Sequence, residues 1–237
     1  MKSIINIPNK YNKILKIYKN LCIKILKQYN LHNISNIPFE IKMSINNLEQ
    51  GMTFTINNWI VISKNKLDKI YNKKYIDKEF IELILHEFIH IIQRLYQNKF
   101  NKFYKKKYFF LHNKINYNKL PGRLKQKYML NPDINQSIWT YKFGNNIYYP
   151  VYEIEENNNK IKFKETLYNI KTFKKSNKTI KSLLYQHGLF NTISPVYPSD
   201  YGLHHPNELC AIQLSKLFIN KIKNKYSDSF IDFLQSL

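Results

Sequence analysis

Two histidines four residues apart flank a glutamate in the run Leu85-His86-Glu87-Phe88-Ile89-His90-Ile91. On an α-helix, residues i and i+4 share one face, so the His86 and His90 rings can converge on a single ion. Glu87, one position on, can reach a water at that ion and take its proton. Burying two imidazoles and a carboxylate without partners would cost several kcal/mol. A divalent cation removes that cost, and zinc suits borderline nitrogen ligands with a fourth position left open for chemistry. The alternative is a pair of core histidines, each satisfied by a carbonyl.

A third ligand is required, and several carboxylates are available downstream. Gln93 and Tyr96 stand where a metzincin continuation would need Gly and His, and no glutamate follows Glu87 until Glu153. Glu153, Glu155, Glu156, Glu165, Asp133, Asp200 and Glu208 are the later acids to weigh. Glu208 is favoured because it falls in His204-His205-Pro206-Asn207-Glu208-Leu209-Cys210-Ala211, at the start of an amphipathic stretch. Pro206 suits a first helical position, and the helix dipole favours an ionised carboxylate in the first turn. Ala211 is the chain's only alanine and would let this helix approach another closely.

Taken together, His86-Glu87-x-x-His90 and Asn207-Glu208-x-x-Ala211 resemble the zincin metallopeptidases of the gluzincin type. The Asn-, Ile- and Lys-rich style is similar to metallopeptidases encoded by large DNA viruses. The resemblance implies an α+β zincin-like fold with His86, His90 and Glu208 holding one Zn2+, and Glu87 as general base in peptide-bond hydrolysis. It implies a donor for the oxyanion, for which Tyr201 and His204 are the candidates, with Tyr197 and His205 behind them. Trp59-Ile60-Val61-Ile62 would be the strand beside the cleft, to which an extended substrate adds. Asn207 would support a ligand or cap its helix, and Glu82 would lie near the site or on the surface.

The elements that must position these residues are legible in the periodicity. Pro8 to about Asn30 reads as an amphipathic helix, and Thr53–Ile56 and Trp59–Ile62 as a hairpin turning at Asn57-Asn58. Asp77 opens a helix running to Leu95 that is apolar all round and therefore buried on most sides. Strands are predicted around 138–143, 147–155 and 160–166, a helix from Pro206 to about Lys223, and a final helix capped by Ser227. The expected organisation is a single zincin-like catalytic domain over 1–237. It divides into a helical part (1–47), strands and metal helix (48–98), a β-rich insertion (99–200) and the third-ligand and C-terminal helices (201–237).

Composition narrows the classes further. The 237 residues carry 38 Lys+Arg against 16 Asp+Glu, a formal charge of +22, with 43% hydrophobic residues. That apolar content argues against disorder. Arg94 and Arg123 are the only arginines, whereas phosphate-reading surfaces favour arginine for its planar fork. The lysines therefore read mainly as a solvated face, reflecting A/T-rich codons, that repels basic substrates and attracts acidic ones. The expected partner is a protein or peptide substrate, with weak contact to nucleic acid or an acidic partner through the lysines. The rival reading is a basic nucleic-acid-associated or virion structural protein on a degenerate or accessory zincin fold. Proteases of this class that act on DNA-bound proteins take a third-ligand histidine sooner after the motif, and here the next is His112.

Cys22 and Cys210, the only cysteines, make no disulfide framework, so a reducing compartment is expected. No apolar run follows the lysine-punctuated start, and none approaches the roughly 18 residues of a membrane span. An intracellular location follows as the expectation, in the cytoplasm of a host cell or in a virion if the protein is viral.

Overall fold

Asp77 sets the start of the helix that carries both histidines. In the computed structural model its side chain accepts from the backbone N–H groups of Glu79 (2.9 Å) and Phe80 (3.4 Å), satisfying two donors at the helix end. Glu79 and Arg94 match the dipole at the first and last turns. The structure describes residues 3–45, 51–108, 111–116, 118, 120, 122–125, 137–157, 160–180, 182, 205–223 and 226–237.

The described elements are β1 (Ile4–Ile5), α1 (Asn9–Gln28), α2 (His32–Ser35), β2 (Glu40–Ser44), β3 (Phe54–Ile56), β4 (Trp59–Ser63), α3 (Lys64–Tyr71) and α4 (Lys78–Leu95). They continue with α5 (Gln97–Lys107), β5 (Leu111–Asn116), α6 (Gly122–Lys125), β6 (Ser137–Phe143), β7 (Asn146–Asn157), β8 (Lys160–Asn169), α7 (Pro206–Asn220) and α8 (Ser227–Gln235). This is a mixed α+β protein with two four-stranded sheets. The chain divides into two compact units, Met1–Gln97 with Gln213–Leu237, and Asn98–Ile212. No described helix is long and apolar enough to cross a membrane.

In the first unit the sheet order is β1-β2-β4-β3. β2 and β4 are parallel, from Glu40 opposite Trp59 to Ser44 opposite Ser63, while β1 and β3 are antiparallel edges. Ile60, Val61 and Ile62 of β4 are fully buried. The 3.6-residue apolar pattern of α1 places Tyr11, Leu15, Tyr18, Cys22 and Leu26 in the core. The Tyr18 ring meets Phe80 edge-on at 4.8 Å and its hydroxyl accepts from the Asp77 N–H at 3.0 Å. Asp77 thus receives α1 and starts α4 together. Cys22 donates to the Ile81 carbonyl at 3.9 Å, and burial pushes its thiol pKa up to about 12, so it is a core atom and not a nucleophile.

The second unit holds an antiparallel meander in chain order, β5-β6-β7-β8. Its long hairpin runs from Tyr148 opposite Asn169 to Asn157 opposite Lys160. Aromatic side chains build its core: Tyr104 stacks on Tyr108 at 5.8 Å and meets Trp139 edge-on at 6.4 Å.

Two expectations change at this level. β4 lies inside its sheet, paired on both sides, so its backbone cannot receive a further strand; the edge next to it is β3. The hairpin was read correctly but its outer strand was misassigned, because nothing in its own residues announces the parallel partner β2. At the C-terminus, Tyr226 is the cap residue and Ser227 the first residue of α8.

Candidate metal centre

α4 is buried continuously from Ile84 to Gln93, with the two imidazoles and one carboxylate set among Leu85, Phe88, Ile89, Ile91 and Ile92. Phe88 packs on Phe39 at 4.9 Å, on the segment leading into β2. At the far end Arg94 donates from Nη1 to Thr55 Oγ1 (2.6 Å) and from Nη2 to the Asn57 carbonyl (2.7 Å). Asn57 adopts φ +53°, a left-handed turn conformation that asparagine tolerates. One of the chain's two arginines is therefore spent locking the histidine helix to the β3–β4 hairpin.

The rings of His86 and His90 stand nearly perpendicular, 84° apart, with their Nε2 atoms 3.0 Å from each other. Two nitrogens each about 2.0–2.1 Å from a tetrahedral ion lie about 3.3 Å apart, so this pair is close to chelating separation. His90 Nδ1 lies 2.8 Å from Gln93 Oε1. An oxygen there accepts, which puts the ring proton on Nδ1 and turns the Nε2 lone pair toward His86.

Glu208 stands in the first turn of α7, where the dipole favours its ionised form. From Gln213 onward α7 belongs to the first unit. There Tyr29 donates to the Leu217 carbonyl (2.9 Å), and Asn220 donates to Glu82 Oε2 (3.2 Å), one turn before His86. His86, His90 and Glu208 each offer one ligand atom, and the three atoms lie within 4.8 Å of one another, all three residues buried. Two neutral imidazoles and a carboxylate are a donor set that fits zinc and suits other borderline divalent cations less selectively. Glu87 is buried on the same helix, 4% exposed.

No family model, curated protein or solved structure matches the chain.

The other sequence candidates are placed as follows. Tyr197, Tyr201 and His204 lie outside the described residues, as do Asp133 and Asp200. His205 is buried and accepts from the Asn207 N–H through Nδ1 at 3.1 Å, capping α7. The capping role considered for Asn207 thus belongs to His205, whose ring reaches over the helix start. Ala211 is fully buried. Glu82 is partly buried: it joins α4 to α7 through Asn220, and its charge raises the pKa of Lys216 against the lowering that burial imposes. The strands carrying Glu153, Glu155, Glu156 and Glu165 are in the second sheet.

Gln93 is the residue that sequence reasoning passed over, noted there only as a departure from another motif. The signal was its i+3 position relative to His90, which places both on one helix face. Gln93→Leu keeps the volume and removes the acceptor. It is expected to weaken metal binding about 10- to 100-fold, read by competition with a chromogenic chelator. Unchanged affinity would mean that Gln93 does not orient the ring.

Proposed function

We propose that the protein is a zinc-dependent peptidase of the zincin type. The observation that carries this reading is the convergence of the His86, His90 and Glu208 ligand atoms, with a buried Glu87 on the same helix as the imidazoles. An α+β unit with an antiparallel edge strand before that helix is consistent with it. His86 and His90 would present neutral nitrogens, Gln93 would keep the His90 proton on the far side of its ring, and Glu208 would supply the third, anionic donor. Bound there, zinc supplies Lewis acidity, lowering the pKa of water and polarising a carbonyl. Glu87 takes the proton of the attacking water and passes it to the departing amine nitrogen. The surrounding Ile and Phe side chains exclude bulk water, so the charges at the site act in a low dielectric. Tyr201 and His204 remain the proposed donors to the oxyanion.

The test is hydrolysis of a mixed peptide library by the zinc-reconstituted full chain, read by mass spectrometry. Cleavage that a chelator abolishes and zinc restores is expected. Products that persist in excess chelator, or no products with zinc bound, would contradict the reading.

A further inference from the structure

The His86 and His90 rings face each other through Nε2, 3.0 Å apart, so each has its Nδ1 turned away from the other. For His90, Nδ1 is on the C-terminal side, where Gln93 Oε1 lies 2.8 Å away, three residues on. His86 is the mirror case. Its Nε2 points on toward His90, so its Nδ1 points back along α4, over the preceding turn toward which helical side chains lean. That turn presents Glu82 at i−4 and Leu83 at i−3, and of these side chains only Glu82 can accept a hydrogen bond.

The Glu82 carboxylate is anchored at one oxygen and open at the other. Oε2 accepts from Asn220 Nδ2 at 3.2 Å, which fixes the group between α4 and α7. Oε1 is buried and has no hydrogen-bond partner among the described residues, a costly condition for a charged acceptor. His86 presents the complementary need. A metal ion takes the Nε2 lone pair of a neutral imidazole, which leaves the ring proton on Nδ1 and calls for an acceptor there. His86 is 5% exposed, so bulk water does not serve as that acceptor.

We propose that Glu82 is the positioning residue of His86: its Oε1 accepts from Nδ1–H while its Oε2, on Asn220, links the ring to the helix that carries Glu208. This rests on the metal centre of the peptidase reading and deepens it. The two imidazoles are then held by unlike groups, a neutral amide for His90 and a carboxylate for His86, which makes His86 the stronger donor to the metal.

The test combines zinc affinity, by chelator competition, with 1H–15N NMR of the zinc-loaded full chain carrying 15N-histidine. Glu82→Met should weaken zinc binding about 10- to 100-fold. Glu82→Asp keeps the charge but is one methylene short and should lose as much, so the result does not depend on how Met packs. Glu82→Gln keeps an acceptor oxygen at full reach and should restore most of the loss. Two slowly exchanging Nδ1–H signals are expected in the wild type. Glu82→Met should remove one and leave the other, and Gln93→Leu should do the reverse, whereas a merely loosened helix would change both. Unchanged affinity in Glu82→Met, or loss of both signals together, overturns the inference. Peptide cleavage by a wild type whose zinc affinity Glu82→Met matches leaves the peptidase and removes this role. Selective loss of the His86 signal in a chain that cleaves nothing keeps the role and removes the peptidase. A wild type that takes up no zinc removes both.

Discussion

Glu87→Gln is expected to lower kcat about 100- to 10,000-fold while the protein keeps its metal. Glutamine matches glutamate in size, so the packing of a residue only 4% exposed should survive. What disappears is the basic oxygen that accepts a proton; the adjacent His86 and the nearby His90 are committed to the metal in the proposed site, and the other neighbours, Leu85, Phe88 and Ile89, are apolar. Since Glu87 is not one of the three converging donors, metal affinity should change little. Library cleavage and metal content measured on the same preparation separate the effects. Equal loss of metal and activity would make Glu87 a ligand. Undiminished activity would remove it from the mechanism.

Glu208→Ala is expected to act on the other half of the site. It leaves two imidazoles at chelating separation without the anionic donor, and metal affinity should fall by more than about 100-fold, beyond the loss expected for an orienting residue such as Gln93. Because binding to the folded chain alone stabilises it by mass action, the rise in Tm that zinc gives the wild type should largely vanish in the variant. The metal-free Tm should shift less, since α7 keeps its tethers at Leu217 and Asn220. Competition titration and thermal melts read both effects. An unchanged affinity would return the third position to another carboxylate or histidine.

How far the chain discloses this arrangement depends on the range of the interactions involved. Local signals are clear: Asp77 before an apolar run starts α4, Asn57-Asn58 turns the β3–β4 hairpin, and Pro206 opens α7. The i, i+4 histidines are equally local. The glutamate at position 208 was legible only through its own helix start, because 118 residues separate it from His90 and no periodicity spans such a gap. The parallel pairing of β2 with β4 left no mark in either strand, which is why the edge was assigned to Trp59–Ile62 and not to Phe54–Ile56. α3 and α5 are Lys-rich helices whose few apolar residues, such as Leu67 and Ile70 or Phe100 and Phe103, make a weak pattern. Gln93 escaped notice for a different reason. Its i+3 spacing from His90 is a weak signal, because a glutamine announces no chemistry until the His90 ring is seen beside it.

The central claim is that one zinc ion is held by His86, His90 and Glu208. X-ray absorption at the zinc edge, on wild-type protein reconstituted and dialysed, tests it most directly. The expected result is about one zinc per chain with two imidazole nitrogens near 2.0–2.1 Å and oxygen ligands near 2.0–2.2 Å, one oxygen shell contribution being lost in Glu208→Ala. Substoichiometric zinc after dialysis, or a spectrum without paired imidazole scattering, would contradict it.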